Sequence, residues 1–477
     1  MEKAKPQNMP TIQKGLDYAW WIWFGLMGLV LVYLAGVFML GGGDTLKRCI
    51  QTQPLEMVGQ ASVCAVLVWL TFGFALMLLR HPNVRMRHGV PIICSVILLL
   101  LYINFLRERF HYGDVRDYVQ AAVNLYNHEP FHQRYLYPPL LATLCQPFLW
   151  LGIGECVLAG IFWGGNWVGL VLFFILLVKT LKTYGFGHHI ANYAGFAFLL
   201  VNVAVLRTLC YVQVNFHMMN LILLSFLIYP RNKLLSAVAL ALAVHLKASP
   251  IILVLPFLYA RDVKWLIRFA LSIIVLFAMT YCFYGWMPYA SFFENSKNIY
   301  AANGITFREC SIDAVVRTIS VCLRTNGKSW AVLLVKIPVL LGLLWGAYYT
   351  IKQKTWERRD DVLGSVLNAL PLLLFVMVFA SPLVWEHHFI FLSLPVFLLL
   401  KKMQTALEWV MYGFAYLFIF LSPTFDFFPF SFCRLIGAGL LFYLCMKVAK
   451  YPNTHWFTSI SQHLEQSISR SPPCFNG

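Results

Sequence analysis

Two carboxylates in the segment HYGDVRDYVQ, residues 111–120, are the first candidates for chemistry in this sequence. Asp114 and Asp117 follow an apolar run, with His111 and Arg116 beside them. A carboxylate held against a reacting hydroxyl can act as a general base. The same spacing also suits the start of a helix, with Asp114 as N-cap and Asp117 in the first turn. The pattern alone leaves both interpretations open.

Further polar residues interrupt the apolar runs, and each has a plainer alternative. Gln213 and Asn215 in YVQVNF would line a cavity or cap helix ends, and Lys247 would bind an anion or extend its amine to a nearby surface. RYLYPPLL would form a membrane-entry turn with aromatic anchors, and the tryptophan of WEHH would be an anchor at the membrane interface. The neighbouring His387 and His388 would point about 100° apart on a helix and lack the HExxH spacing, so we predict no metal site.

Composition defines the kind of fold that must position these residues. The chain has 477 residues, of which 60% are hydrophobic and only 12% charged, about half the charge of a soluble protein. Apolar runs recur at about the length of ~20 residues that crosses a bilayer. They include residues 19–40, 60–79, 90–106, 156–178, 190–209, 213–229, 264–284, 331–350, 362–380, 404–421 and 431–448. We predict an all-α, polytopic integral membrane protein with about twelve transmembrane helices, and we expect the first run to be a retained span.

Two segments differ from simple spans. Residues 234–260 carry Lys247 and Pro250 between apolar halves too short to cross a bilayer each, which predicts a broken or re-entrant helix pair. From Asp114 to Leu125 the apolar residues fall on one stripe, which predicts an amphipathic helix on the outer surface, ended by Pro130.

The net charge of +17 indicates orientation rather than nucleic-acid binding, because the basic residues concentrate in alternate loops. We expect both termini to be cytoplasmic and the polar segments 107–155, 210–215, 285–330, 381–388 and 422–430 to lie outside. The predicted units are the N-terminal membrane helices (1–106), a core with external loops (107–400), C-terminal membrane helices (401–450) and a cytoplasmic tail (451–477). The twelve cysteines follow no metal-binding spacing, and a disulfide between Cys310 and Cys322 is one possibility.

Six motifs, taken in order, resemble glycosyltransferase family 87, the polyprenyl-phosphate-mannose-dependent mannosyltransferases of the C-type glycosyltransferase superfamily. They are GDVRDYVQAA, YLYPPLLATLCQPFLWL, VQVNFHMMNLILL, AVHLKASPIILVLPFL, CSIDAVVR and SPLVWEHHFIFL, all within residues 107–400. The chain departs from the family pattern in having two extra early spans, Val212 where a Gly often precedes the Gln, and Glu309-Cys310 in place of a commoner Asn-Gln.

The resemblance implies inverting transfer of a sugar, by default mannose, from a polyprenyl-phosphate donor at the outer membrane face. The family keeps an Asp in its first large external loop, and Asp114, four residues before a Tyr, matches it as general base. The phosphate would be held by Lys247, His387 or His388, or by an external arginine, and aromatic residues would stack on sugars. The other predicted substrate-binding residues are Asp117, Tyr118, Arg116, Arg134, Tyr137, Gln213, Asn215, Arg317 and Trp385.

We expect no metal or other cofactor, since a lipid-phosphate donor lacks the diphosphate that favours a divalent ion. Membrane lipids would surround the protein, the acceptor would be a glycolipid, a polysaccharide or a protein, and the location would be a bacterial plasma (inner) membrane. Two other function classes remain at this point. A flippase or transporter of lipid-linked sugars would place polar residues near the bilayer midplane, and an assembly partner without catalysis would tolerate replacement of Asp114.

Overall fold

The fold is known from a computed structural model that describes most of the chain after Gly113. The described ranges are 114–200, 202–301, 309–322, 329–422 and 432–450. Within them every regular element is a helix, as the apolar runs predict. The predicted spans at 19–40, 60–79 and 90–106 and the predicted tail 451–477 lie outside the described residues.

The helices follow one another with short connections. In the first part of the chain they are α1 (Val115–Tyr126), α2 (Leu140–Leu144), α3 (Gln146–Trp150), α4 (Glu155–Thr183), α5 (His188–Leu200), α6 (Val203–Cys210), α7 (Asn215–Ile228), α8 (Lys233–Leu246), a 3₁₀ helix (Ser249–Val254), α9 (Leu255–Tyr259) and α10 (Val263–Tyr284). In the second part they are α11 (Met287–Ala301), α12 (Ile312–Cys322), α13 (Ser329–Gln353), α14 (Val362–Ala380), a 3₁₀ helix (Glu386–Leu392), α15 (Ser393–Leu400), α16 (Ala406–Tyr416), a π-helical turn (Leu417–Leu421) and α17 (Cys433–Val448).

Four helices of the described chain are long and apolar enough to cross a bilayer, namely α4, α10, α13 and α14. The predicted runs 213–229, 404–421 and 431–448 form shorter helices, so the count of about twelve spans is not confirmed. Large apolar side chains on α4, α10 and α13 are exposed, as expected of surfaces that face lipid. By contrast, α14 is almost entirely buried and forms the centre of the main core.

Two predicted hydrophobic runs are broken. The run 190–209 was predicted as a single span, but α5 and α6 meet at an angle of 58°, because Asn202 caps the first turn of α6 through the N–H groups of Ala204 and Val205. The run 234–260 divides as predicted, since α8 ends at Leu246 and Lys247 has extended backbone before the 3₁₀ helix. The second break places Lys247 where its charge acts on Asp114, at the start of α1.

The first described helix, α1, begins beside the end of α6, where the Asp114 N–H donates to the Tyr211 carbonyl. α1 contacts α2, α3 and α4, and α6 packs on the 3₁₀ helix Glu386–Leu392. α1 is amphipathic and buries Tyr118, Val119, Ala121, Ala122 and Leu125. It ends at Tyr126, earlier than Pro130, because His128 takes a positive φ of 57° and turns the chain away.

Candidate active site

Asp114 stands at the N-cap position of α1 but does not cap the helix. Its backbone N–H donates to the Tyr211 carbonyl (3.0 Å), and its side chain accepts no hydrogen bond from the first turn. Instead, its Oδ2 accepts from the Tyr137 hydroxyl (2.9 Å) and from the Gln213 amide. The carboxylate therefore joins distant segments of the chain and does not cap the helix.

The contacts of Asp114 are uneven between its two oxygens. Both hydrogen bonds fall on Oδ2, while Oδ1 accepts none from the described part of the chain. The Tyr137 hydroxyl also lies 3.0 Å from Gln213 Oε1, and its single proton serves one acceptor at a time. Tyr137 and Gln213 thus hold one carboxylate oxygen from two sides, and no described residue donates a hydrogen bond to the other.

Gln213 reaches Asp114 because of the turn that ends α6. The Gln213 N–H donates to Thr208 O (2.9 Å) and the Val212 N–H to Leu209 O (3.1 Å), the paired bonds of a Schellman turn. Such a turn needs a left-handed residue, and Val212 takes that position with φ 53°. Glycine is the usual residue there, since a side chain is strained at positive φ.

Tyr137 is held by its neighbours and by α11. Asn295 donates its amide to the carbonyls of His132 (2.8 Å) and Tyr135 (3.1 Å), which fixes the segment before the two prolines. The Tyr118 ring packs edge-on against the Tyr137 ring, with centroids 5.0 Å apart. Tyr118 is only 1% exposed, so it supports Tyr137 and has no free face on which a sugar could stack.

Lys247 forms the cationic side of the site, with His388 beside it. The Lys247 amine contacts His388 Nε2, and the Trp385 N–H donates to His388 Nδ1 (2.9 Å). Asp114 and Lys247 form no direct ion pair among the described contacts, yet their charges attract each other. His387 stacks beside His388, with ring centroids 4.4 Å apart.

A buried ion cluster fixes the segment that carries the two histidines. Arg207 Nε lies 3.1 Å from Glu386 Oε1, with both side chains at most 5% exposed. Arg434 also attracts this carboxylate and donates to Ser422 O (2.5 Å). Because the loss of one partner would leave a buried charge, such clusters hold their segments firmly in place.

The remaining predicted residues occupy different surroundings. Asp117 lies 3.8 Å from His132 Nε2 and does not share the contacts of Asp114. Arg116 and Arg134 are exposed, and Arg317 is drawn to Glu309. Asn215 donates to His387 O (3.3 Å) and is fully buried, which makes it a support for the histidine segment.

Burial governs the electrostatics of Asp114, which lies at the start of α1 and outside the membrane-length helices. Removal of water raises the pKa of its carboxyl to about 6, and the Asp117 charge contributes in the same direction. Hydrogen bonds from Tyr137 and Gln213 and the charge of Lys247 act against this rise. A carboxyl with a pKa near neutrality is well matched to a general base.

Sequence reasoning missed Arg207 and Arg434 and gave Glu386 no role of its own. A signal for the arginines was present, since each is an ionisable residue inside an apolar run of membrane length. Cys310 is buried beside Glu386 and Arg434. Among the described residues no three His, Cys, Asp or Glu side chains converge as metal ligands.

Comparison with known proteins adds one finding to this geometry. The family model described as glycosyltransferase family 87 matches residues 135–382, just over half of the chain. The matched range contains Tyr137, Gln213 and Lys247, whereas Asp114 and His388 lie outside it and join the site through the contacts above. No curated protein and no solved structure gives a significant match. Because the match extends over half of the sequence, the chain belongs to glycosyltransferase family 87.

Proposed function

We propose that this membrane glycosyltransferase transfers a sugar from a polyprenyl phosphate to an acceptor hydroxyl, with Asp114 as general base. The observation that carries the proposal is the arrangement of the Asp114 carboxylate. Tyr137 and Gln213 fix its Oδ2, and its Oδ1 accepts no hydrogen bond from the described residues, which supports a role for Oδ1 in binding the acceptor hydroxyl. A base already held in one orientation loses little entropy when the acceptor binds.

The proposed reaction is a single displacement. The acceptor oxygen attacks the anomeric carbon, the bond from that carbon to the phosphate oxygen breaks, and the proton of the acceptor hydroxyl passes to Asp114 Oδ1. The leaving polyprenyl phosphate keeps the electron pair and is a stable anion, so no general acid is required. One displacement inverts the configuration of the sugar.

Lys247 and His388 are the proposed phosphate-binding pair. The Lys247 ammonium lies against His388 Nε2, and His388 is held in turn by the Trp385 backbone at Nδ1. The ammonium has three N–H groups, so a phosphate oxygen beside His388 would accept from one that His388 does not engage. Fixed donors act strongly on developing charge where water is scarce.

The donor sugar and the acceptor are the finer parts of the proposal. Mannose is the first candidate sugar because of the family resemblance, and a pentose is the second. The acceptor hydroxyl would belong to a glycolipid, a polysaccharide or a protein and would approach Asp114 from the external side of the membrane.

An assay of the purified protein in lipid nanodiscs tests the proposal. Polyprenyl phosphates that carry mannose, another hexose or a pentose are supplied with membrane glycolipid, polysaccharide and protein fractions, and NMR determines the anomeric configuration of the product. We expect transfer from one of these donors with inversion, release of polyprenyl phosphate, and no transfer from nucleotide sugars. Transfer only from nucleotide sugars, or retention of configuration, would overturn it. Movement of the intact lipid-linked sugar across the bilayer, without release of polyprenyl phosphate, would instead identify a transporter.

A further inference from the structure

The end of α14 that lies away from the candidate site carries a group of cations. α14 is long enough to cross a bilayer, and the chain continues from its C-terminal end to the segment with His387 and His388. Beside its N-terminal end lie Arg358, Lys401 and Lys402, which form the basic cluster. None of the three has a role in the sugar transfer proposed above, so the cluster needs a different explanation.

Hydrogen bonds bring the separate segments around the basic cluster together. The Tyr184 hydroxyl donates to Leu367 O (2.7 Å), which joins the end of α4 to α14. The Lys401 amine donates to Tyr184 O (2.7 Å), which adds the end of α15. Asn368 Oδ1 accepts from the Glu357 N–H (3.1 Å), which holds the segment before α14 against the same turn of that helix. Three distant parts of the chain therefore meet at one place.

The cations at this place outnumber the carboxylates. Among the described residues the Lys402 amine and the Arg358 guanidinium contact no carboxylate. Glu357 attracts Lys401 but also lies 3.6 Å from Arg359 Nε. Burial and the charges of Lys401 and Arg358 lower the pKa of Lys402 to about 8. An anion bound here would relieve the repulsion within the cluster.

Membrane orientation alone does not account for the basic cluster. Lysines and arginines that set orientation need only lie in loops on one side of the membrane, and such side chains usually extend their charged groups into water. Lys402 is instead half-buried beside two other cations. Its position indicates a binding site for an anion more than a signal of orientation.

An apolar surface begins next to the basic cluster. α16 starts at Ala406, after the short turn that follows Lys402. Leu407, Val410 and Phe414 fall on one stripe of this helix and are 63%, 53% and 49% exposed. A cationic place beside an exposed apolar stripe has the chemistry of a lipid headgroup site, because the head binds the cations and the acyl chain covers the stripe.

We propose that the basic cluster binds the headgroup of an anionic phospholipid, with one acyl chain along the exposed stripe of α16. The headgroup phosphate would accept from Lys402 and Arg358, while Lys401 keeps its contact with Tyr184 O and contributes its charge. A free phosphate ion offers the same oxygens but leaves the stripe uncovered, so the lipid is the better match. The proposal does not depend on which sugar or acceptor the protein uses.

Neutral variants of the two cations provide a test with matched controls. Lys402→Met and Arg358→Met remove a charge and break no described salt bridge. Lys402→Arg keeps the charge. Lys264→Met is the control for any basic residue at the membrane surface, because Lys264 is an exposed cation next to the exposed side chain of Val263 on α10. Since a ligand that binds only the folded chain stabilises it, the unfolding temperature gives a second measurement.

Native mass spectrometry of the full chain in detergent measures the binding of phosphatidylglycerol and of phosphatidylcholine with the same acyl chains. We expect preferential binding of phosphatidylglycerol, with an affinity about fivefold lower in Lys402→Met and in Arg358→Met, the usual contribution of one cation near an acidic lipid. Lys402→Arg and Lys264→Met should bind as the wild type does, and phosphatidylglycerol should raise the unfolding temperature of these two variants more than that of Lys402→Met. An equal loss in Lys264→Met, or equal binding of the two lipids, would overturn the proposal.

Photolabelling in nanodiscs locates the acyl chain. The probe is phosphatidylglycerol with a diazirine on an acyl chain, and we expect it to label the peptide that contains Leu407 and Val410 at least fivefold less in Lys402→Met than in Lys264→Met. Labelling spread evenly over the other lipid-facing helices would contradict the assignment. Displacement of the probe by millimolar inorganic phosphate at constant ionic strength would identify a site for free anions and would also overturn it.

Discussion

Asp114 and Asp262 stand at equivalent places, each just before a helix, and each has a tyrosine and a lysine nearby. Asp262 precedes α10, and both of its oxygens are engaged. Its Oδ1 accepts from the Trp265 N–H (3.2 Å), and its Oδ2 accepts from Tyr229 (2.6 Å) and Lys233 (2.7 Å). In the part of the chain that the structure describes, Asp114 accepts hydrogen bonds through Oδ2 alone.

The different numbers of hydrogen bonds also give the two carboxyls different pKa values. Burial opposes ionisation of Asp262, but hydrogen bonds from Lys233 and Tyr229 outweigh it and bring its pKa below the ordinary value. At Asp114 burial outweighs the hydrogen bonds, and the pKa rises to about 6. A carboxylate that completes its contacts within the protein stabilises structure, whereas one with an open oxygen and a raised pKa remains available for chemistry.

The largest expected effect is on turnover, which should fall in Asp114→Asn but not in Asp262→Asn. Asp114→Asn keeps the shape of the side chain and removes the base, so kcat should fall by about 10²–10⁴, the usual contribution of general-base catalysis. Asp262→Asn should keep the turnover of each folded molecule. Single-turnover sugar transfer at saturating donor, with donor binding measured separately, checks both variants. A similar loss in the two would remove the functional distinction between them.

Lys247 and Lys233 extend the comparison to the cations. Lys247→Met removes a donor proposed to act on the leaving phosphate and should lower kcat by about 10²–10³, the cost of one preorganised charge-stabilising donor. Lys233→Met removes the contacts with Asp262 and with the Tyr229 ring and should leave kcat near that of the wild type. Steady-state kinetics of the two variants tests this, and a larger loss in Lys233→Met would contradict the assignment.

For stability the order should be reversed, with Asp262→Asn more destabilising than Asp114→Asn. Asp262→Asn loses a charged partner of Lys233 and Tyr229, and we expect the free energy of unfolding to fall by about 1–2 kcal/mol. Asp114→Asn relieves a desolvated charge at neutral pH and should leave this free energy unchanged or raised. Unfolding in denaturing detergent, followed by tryptophan fluorescence, compares them. If Asp114→Asn proves to be the less stable variant, Asp114 has a structural role.

The smallest effect concerns the turn that brings Gln213 to Asp114. At the left-handed Val212, Val212→Gly removes backbone strain and Val212→Ala keeps it, while both lose the buried side chain. Val212→Gly should therefore be the more stable of the two by about 1 kcal/mol. The same unfolding measurement tests the difference, and equal stabilities would show that the turn is not strained at this residue.

Local patterns predicted the parts of the site that depend on one segment. The amphipathic stripe predicted α1, and the short apolar halves around Lys247 and Pro250 predicted the break after α8. The spacing to Tyr118 selected Asp114 over Asp117. It could not show that the carboxylate leaves the helix end uncapped, because that depends on Tyr137 and Gln213.

Contacts between distant segments could not be predicted in this way. Arg207 and Glu386 are far apart in the sequence, and no local period reports their pairing. Tyr118 was expected at a sugar, yet its place on the apolar stripe of α1 buries it. The bend between α5 and α6 was also missed, since a single capping Asn202 in an apolar run changes the hydrophobic pattern little.

The pH dependence of kcat/KM is the most direct test of Asp114 as the base. The raised pKa means that the folded protein keeps this proton up to about pH 6, so activity should fall as the pH drops below about 6. For the same reason this group makes the folded state less stable as the pH rises from about 4 to about 6.

Two variants should move the acidic limb in opposite directions. Tyr137→Phe removes a hydrogen bond that lowers the pKa of Asp114 and should shift the limb to higher pH. Asp117→Asn removes a neighbouring negative charge and should shift it to lower pH while turnover at neutral pH persists. If instead the limb is absent in the wild type, or disappears in Asp117→Asn, Asp114 is not the base.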